Sequence, residues 1–213
     1  MQFDRLAALA TALTVTVMYS AIGLLGPWIG KLPLPQALAV GIAGVLASLS
    51  AYKLFAAGLF NFFRRSLRLR RFVLGPSFLE GTWGGHYVRN GAHRFTIEVF
   101  DQEGGTTTIQ GREIDDTGAT RASWHSDAVS IDLANMRLVY AYTCDVFERR
   151  NQQQGLAVFS LISQKKGAPA TILDGYAADL IDGDKDPNRE HKISDGITTD
   201  AEALRQARRM FPC

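Results

Sequence analysis

The residues able to do chemistry lie in the last two thirds of a 213-residue chain, and their types suit binding better than bond breaking. On the alternating pattern of a strand, Trp83, Tyr87 and Arg89 share one face, as do Thr106, Thr108, Gln110 and Arg112, and as do Tyr140 and Tyr142. Tyr176, Arg94, Arg121, Trp124 and His125 fall on or near neighbouring strands. Aromatic faces stack on flat rings, while guanidinium and amide groups hold phosphate oxygens. No Gly-rich phosphate loop, Gly-x-Ser-x-Gly elbow or His-Glu-x-x-His segment occurs, so no catalytic residue is assigned and no enzyme is expected.

Metal chemistry is not expected either. His86 and His125 have no second ligand at suitable spacing, and Cys144 and Cys213 lie far apart. The run Asp182-Gly183-Asp184-Lys185-Asp186 has alternating acids, but Pro187 and Ile193 stand where a calcium loop needs Gly and Glu, which makes it a solvated turn. Other candidates have structural readings beside the functional one. Gly81-Thr82-Trp83 fits the opening of lipocalin-like barrels, where the tryptophan plugs the closed end. Tyr140 and Tyr142 fit cross-strand packing, and Arg112 fits a surface ion pair.

Positioning these residues requires strands. After Gly75-Pro76 the pattern alternates, predicting strands over 82–89, 94–101, 106–114, 120–125, 128–133, 136–147, 155–163 and 171–181. Turn residues join them at Asn90-Gly91, Gly104-Gly105, 115–118, Ser126-Asp127, Ala134-Asn135 and 151–154. Eight strands with short connections form an antiparallel up-and-down sheet, and closing it into a barrel removes its edges. A helix over 200–211 follows, with Thr199 and Glu202 at capping-box spacing and Leu204, Ala207, Met210 and Phe211 on one side. Alternation places Val129, Ile131 and Leu133 inside, and likewise Phe95, Ile97 and Val99, which turns Arg94 and Glu98 outward. On the third strand the choice is open: Thr108, Gln110 and Arg112 inside make a polar lumen, Ile109 and Gly111 a drier one. The sixth strand, with Tyr140 and Tyr142, is open in the same way.

The N-terminal part is of another kind. Residues 6–29 and 37–63 are apolar runs, each longer than the roughly 20 residues that cross a bilayer as a helix. Gly26-Pro27-Trp28 and the Pro33 to Pro35 segment break them into a tight hairpin, with Trp28 at the far interface. Five arginines, Arg64, Arg65, Arg68, Arg70 and Arg71, follow directly. Basic flanks stay on the cytoplasmic side, so both termini are expected there. A cleaved signal peptide is the rival for the first run, opposed by its length and by the second run. Ala8, Ala12 and Thr16, and Ala43, Ala47 and Ala51, have the spacing for close helix packing in lipid, within the hairpin or between subunits. Residues 1–76 hold eight Lys and Arg against one Asp, which leaves 15 basic against 20 acidic residues for 77–213. So acidic a domain argues against DNA or RNA polymers as partners.

The expected organisation is a two-transmembrane hairpin (1–63), a basic juxtamembrane linker (64–76) and an eight-stranded barrel with a C-terminal helix (77–213). That order, with the opening Gly81-Thr82-Trp83-Gly84-Gly85-His86-Tyr87, resembles the two-transmembrane, β-strand-rich effectors of bacterial cyclic-oligonucleotide antiphage signalling systems (CBASS). The resemblance covers nearly the whole chain. It implies a bacterial inner-membrane protein whose barrel binds a cyclic dinucleotide made by a cognate nucleotidyltransferase, self-associates and disrupts the membrane. On that expectation the ligand-binding residues are Tyr87, Arg112, Trp124, Tyr140, Tyr142 and Tyr176, with no other cofactor. The alternative is a tethered lipid- or hydrophobe-binding barrel with an envelope or transport role, which calls for an apolar lumen with a single positioned charge.

Overall fold

A computed structural model of the chain describes residues 2–89, 91–103, 105–147, 151–180, 183 and 185–212. Asn90, Gly104, Ile181, Asp182, Asp184 and Cys213, and the side chain of Arg89, lie outside the described residues. The chain divides into two compact units, Met1–Val73 and Leu74–Cys213.

The first unit is a hairpin of α1 (Gln2–Ile29) and α2 (Leu34–Arg65), followed by the short helix α3 (Leu67–Leu74). Both long helices are apolar enough and long enough to cross a membrane. Their large side chains face outward, with Leu24 76% and Leu54 74% exposed. Water disfavours such a surface and hydrocarbon does not. Pro27 does not break α1 as its residue type suggested, because it sits in the last turn, where little helix remains to disrupt. Residues 30–33 alone make the connection. Within the hairpin α1 buries Ala10 and Thr14, whereas Ala8, Ala12, Thr16, Ala43 and Ala47 stay exposed. Ser66 separates α2 from α3: its backbone is extended, and its hydroxyl accepts from Leu69 N at 3.3 Å. The basic segment expected as a linker is thus largely helical.

The second unit is a closed barrel of eight antiparallel strands, β1 (Gly81–Arg89), β2 (Ala92–Glu103), β3 (Thr106–Asp115), β4 (Thr120–Asp132), β5 (Arg137–Val146), β6 (Asn151–Ile162), β7 (Ile172–Asp179) and β8 (Lys185–Ser194), paired in sequence order and closed by β1 against β8. The strand count agrees with expectation, but two assignments change. Residues 120–125 and 128–133 belong to one strand, β4, whose register shifts between Ser126 and Ala128. A bulge keeps a strand running while adding a residue, so the polar Ser126-Asp127 step reads locally like a turn. The eighth strand is Lys185–Ser194, which the sequence pattern passed over because Pro187 and a mostly polar composition argue against a strand. Here β8 pairs with β1 only from Glu190 onward, so Pro187 lies on a stretch with no partner on that side and its missing N–H costs little.

α4 (Asp200–Met210) closes the chain, with the Thr199 hydroxyl accepting from Glu202 N as the capping spacing predicts. It lies on the outside of β1, β2 and β8. There Ala203 and Ala207 are fully buried against Phe95, Ile97 and Ile114, with Ile193, Leu204 and Phe211 at the margin, while Met210 is exposed. This corrects the facing of β2. Phe95 and Ile97 form the outer surface that α4 covers, and Arg94, Thr96 and Glu98 turn inward. The alternation was real, but the apolar row served the helix and not the lumen.

The main core fills one half of the lumen. Trp83, Phe100, Ile109, Leu138, Phe159 and Leu173 are buried together with Leu79, Leu161 and Ala170. Val129 and Ile131 pack against them as expected, whereas Leu133 is exposed. Trp83 is wholly buried, and its indole N–H donates to Leu79 O at 2.7 Å. Gln102 fastens the segment before β1: its side-chain oxygen accepts from Leu79 N and Glu80 N, and its amide donates to Ser77 O.

Candidate ligand cavity

The other half of the lumen is open. Along each inward-facing row the side chains change from bulky and apolar to polar or small: Phe100, Glu98, Thr96, Arg94 on β2; Trp83, Gly85, Tyr87 on β1; Leu138, Tyr140, Tyr142, Cys144 on β5. The result is a cavity of about 310 Å³ walled by Tyr87, Trp124, Tyr140 and Tyr142. Two glycines make the room. A Cβ at Gly111 would stand 2.1 Å from the Trp124 ring, and one at Gly155 would stand 2.2 Å from the Tyr142 ring. Each glycine is the cross-strand partner of that aromatic, so both rings lie over bare backbone.

Of the six expected ligand residues, Tyr87, Trp124, Tyr140 and Tyr142 come together here, and Arg112 and Tyr176 do not. On β3 Ile109 and Gly111 face in, which turns Arg112 to the outer surface, where it is half exposed and ion-pairs with Asp200 of α4. Tyr176 is displaced by parity: Ala177 and Asp179 of β7 line the cavity, and the Tyr176 ring lies 4.8 Å from the Lys185 ammonium instead. A lumen with Ile109 and Gly111 inside was expected to be drier. It is polar nonetheless, because β2 and β8 supply the polar groups that β3 does not.

At the rim stand two arginines. Arg94 lies 3.2 Å from Glu113 and 3.9 Å from Asp115, and Arg121 bonds Asp115 at 2.6 Å. The Tyr87 hydroxyl donates to Glu113 at 2.5 Å. Asp115 also accepts from the Thr117 hydroxyl and from Ala119 N. Those donors, the Thr117 hydroxyl foremost, hold its carboxyl far below the usual range.

At the floor lie two buried acids, Glu98 (1% exposed) and Glu190 (0%). Glu98 Oε1 accepts from the Tyr140 hydroxyl at 2.6 Å and from Trp124 Nε1 at 3.0 Å. Glu190 Oε1 accepts from Thr96 Oγ1 at 3.1 Å and from Asn188 Nδ2 at 2.9 Å. The remaining oxygen of each, and Asn188 Oδ1, meets no protein N–H or O–H at bonding geometry. Burial pushes the Glu98 carboxyl up to about 7 against the three donors that lower it, Tyr140, Trp124 and Glu190. Burial, and then the neighbouring Glu98 charge, raises Glu190 well above the carboxylate range. The two carboxyl groups hydrogen-bond to each other, which requires a proton on the pair, and this carboxyl hydrogen supplies the partner that N–H and O–H donors do not. Burial foremost raises the Tyr140 hydroxyl as well, and it pushes the Cys144 thiol up to about 11, so Cys144 is a neutral thiol.

Glu98 and Glu190 are the site residues that sequence reasoning missed, and Arg94, recognised by type, was misplaced. Glu190 sat in the overlooked strand, and Arg94 and Glu98 were turned outward because Phe95 was placed inside. The amphipathic C-terminal helix was the available signal, since it needs an apolar strip on the outside of a barrel. His86 and His93, 3.0 Å apart, belong to that outer surface with Phe211, and His125 lies 3.6 Å from Asp127. Among the described residues no group of three or more His, Cys, Asp or Glu is placed to hold a metal ion. The chain matches no protein-family model, no curated protein and no solved structure.

Proposed function

We propose that the protein is a membrane-anchored receptor whose barrel binds a cyclic dinucleotide in the open half of its lumen and converts binding into subunit association and membrane disruption, as an effector of antiphage defence. The observation that carries this reading is the aromatic-walled polar cavity, with Arg94 and Arg121 at its rim, on a chain that also has two membrane-length helices. Flat bases find Tyr87, Trp124, Tyr140 and Tyr142, and a dianion finds two guanidinium groups that can exchange carboxylate partners for phosphate. The arginines after α2 favour a cytosolic barrel at a bacterial inner membrane, where a cytosolic messenger would be met. Small residues left exposed on the hairpin, Ala8, Ala12, Ala43 and Ala47, favour packing against neighbouring copies. Ligand acts by binding the associated form better than the isolated one.

A hydrophobe carrier fits less well. The apolar half of the lumen is filled by its own side chains, and the open half has Glu98, Glu113, Asp179 and Asp186 in its wall. Titration of the full chain in lipid nanodiscs with a panel of cyclic dinucleotides and with fatty acids separates the two. The expected result is saturable binding of at least one cyclic dinucleotide and, in dye-loaded vesicles, leakage on its addition. Binding of fatty acids alone would overturn the reading.

A further inference from the structure

The wall of the cavity is divided by charge. Arg94 of β2 and Arg121 of β4 stand on one side, and Asp179 of β7 and Asp186 of β8 on the other. Each side has an aromatic ring laid over glycine backbone, Trp124 over Gly111 beside the arginines and Tyr142 over Gly155 beside the acids. In register, Gly155 is followed by Asp179, and the row below runs from Tyr140 through Ala157 and Ala177 to Asp186. Only glycine and alanine therefore lie between the two tyrosines and the two carboxylates. The Tyr142 hydroxyl, pushed up to about 12 by burial foremost, also feels the charges of Asp179 and Asp186. Asp186 is exposed, lines the cavity, and makes no hydrogen bond or ion pair among the described residues, whereas Arg121 and Glu113 are engaged with Asp115 and Tyr87. An open acceptor at the edge of a stacking platform is an arrangement that reads the edge of a base.

We infer that Asp186 reads the Watson–Crick edge of a guanine: a base stacked on Tyr142 turns that edge toward β7 and β8, where the carboxylate accepts N1–H and the 2-amino N–H together, while the phosphates lie toward Arg94 and Arg121. The inference rests on the receptor reading above and adds the base preference. A carboxylate has two acceptor oxygens and no donor. Guanine alone among the common bases has two N–H donors side by side on that edge. Adenine and cytosine set an acceptor nitrogen beside their amino group, and uracil sets its N–H between two carbonyls, so each brings lone pairs against the carboxylate. Two parallel charge-assisted bonds are stronger and more selective in geometry than one, and a site built around a hydrogen bond discriminates strongly against the ligand that cannot make it. Asp179 adds negative charge to the same side, which opposes a phosphate there and so fixes which way round the ligand enters.

The test titrates the full chain in nanodiscs with cyclic di-guanylate, with its inosine analogue, which lacks only the 2-amino group, and with cyclic di-adenylate. Wild-type protein should bind the guanine ligand about tenfold more tightly than the inosine one, and the adenine ligand more weakly still. In Asp186→Asn the amide keeps one acceptor and gains a donor, so both gaps should narrow, the adenine gap most, because an amide matches adenine's donor and acceptor. Removing a negative charge from the wall strengthens the binding of every dianion alike, so the readout is the ratio between ligands and not the affinity for any one. Equal binding of the guanine and inosine ligands by wild type, a preference for adenine, or ratios unchanged in Asp186→Asn would overturn the inference and leave the receptor reading standing. No binding of any cyclic dinucleotide by wild type would overturn the receptor reading and this inference with it. Should Asp186→Asn fail to fold, Asp186→Ala, which loses the acceptor without gaining a donor, and the wild-type ratios decide.

Discussion

The two halves of the barrel lumen are built from the same eight strands and differ in what their inward rows contain. In the closed half Trp83, Phe100, Ile109, Leu138, Phe159 and Leu173 fill the interior. One or two rungs along, Glu98, Thr96, Tyr142 and Asn188 leave it open. The contrast shows a division of labour along the barrel axis: one half supplies the apolar burial that stabilises the fold, and this tolerates the other half's buried acids. Such acids cost free energy unless they are partnered, so Tyr140 and Trp124 at the boundary belong to both halves.

The sharpest break in that contrast is Trp83→Ala. It removes the largest wholly buried side chain of the closed half, and an aromatic-to-alanine change in a core costs about 3–5 kcal/mol. Denaturant unfolding followed by near-ultraviolet circular dichroism should register that loss. Next is Tyr140→Phe, which keeps the ring and deletes the hydroxyl that donates to Glu98; leaving a buried acceptor short of a donor costs about 1–3 kcal/mol. A Tyr140→Phe variant as stable as wild type at pH 8 would show that Glu98 does not depend on this bond.

Proton linkage sharpens the contrast further. Because the folded Glu98 carboxyl titrates at about 7, above its ordinary value near 4.5, the folded protein holds a proton that the unfolded chain releases. This contribution is fully present below about pH 4.5 and is lost as pH rises through about 7. His86 and His191 are shifted down by burial and act in the opposite sense below their ordinary 6.5, so the comparison must be with Glu98→Gln. The thermal midpoint of wild type relative to Glu98→Gln should fall between pH 5 and pH 8, by a few degrees. A pH-independent difference would mean that Glu98 titrates normally. The smallest effect is expected at Arg112, on the outer face. Arg112→Ala removes an exposed ion pair with Asp200, should change stability by less than about 1 kcal/mol, and should leave ligand titrations unaltered. Arg94→Ala, by contrast, should weaken anion binding.

The sequence made particular features legible to different degrees. The apolar runs of α1 and α2 and the capping Thr199 state their roles locally, through composition and spacing. The barrel aromatics Tyr87, Trp124, Tyr140 and Tyr142 were recognisable as a type, and the fold brings them together. Arg112 and Tyr176 were recognised by type too, but parity takes them out of the lumen. Arg94 was recognised by type but, like Glu98, was placed outside, because a charged residue next to apolar neighbours on a strand reads as the solvent side; Glu190 was not legible because its polar, Pro-containing strand was not.

By itself, then, the sequence determined that two membrane-length helices precede an antiparallel barrel with a terminal helix, since hydrophobic periodicity and turn chemistry are properties of short segments; the count of eight agrees because splitting β4 in two offset the overlooked β8. The tertiary structure decided which face of β2 and of β3 is the inside. Period-two alternation is symmetric between the two faces of a sheet, and only the docking of α4 on Phe95 and Ile97 breaks that symmetry, sending Arg94 and Glu98 into the lumen.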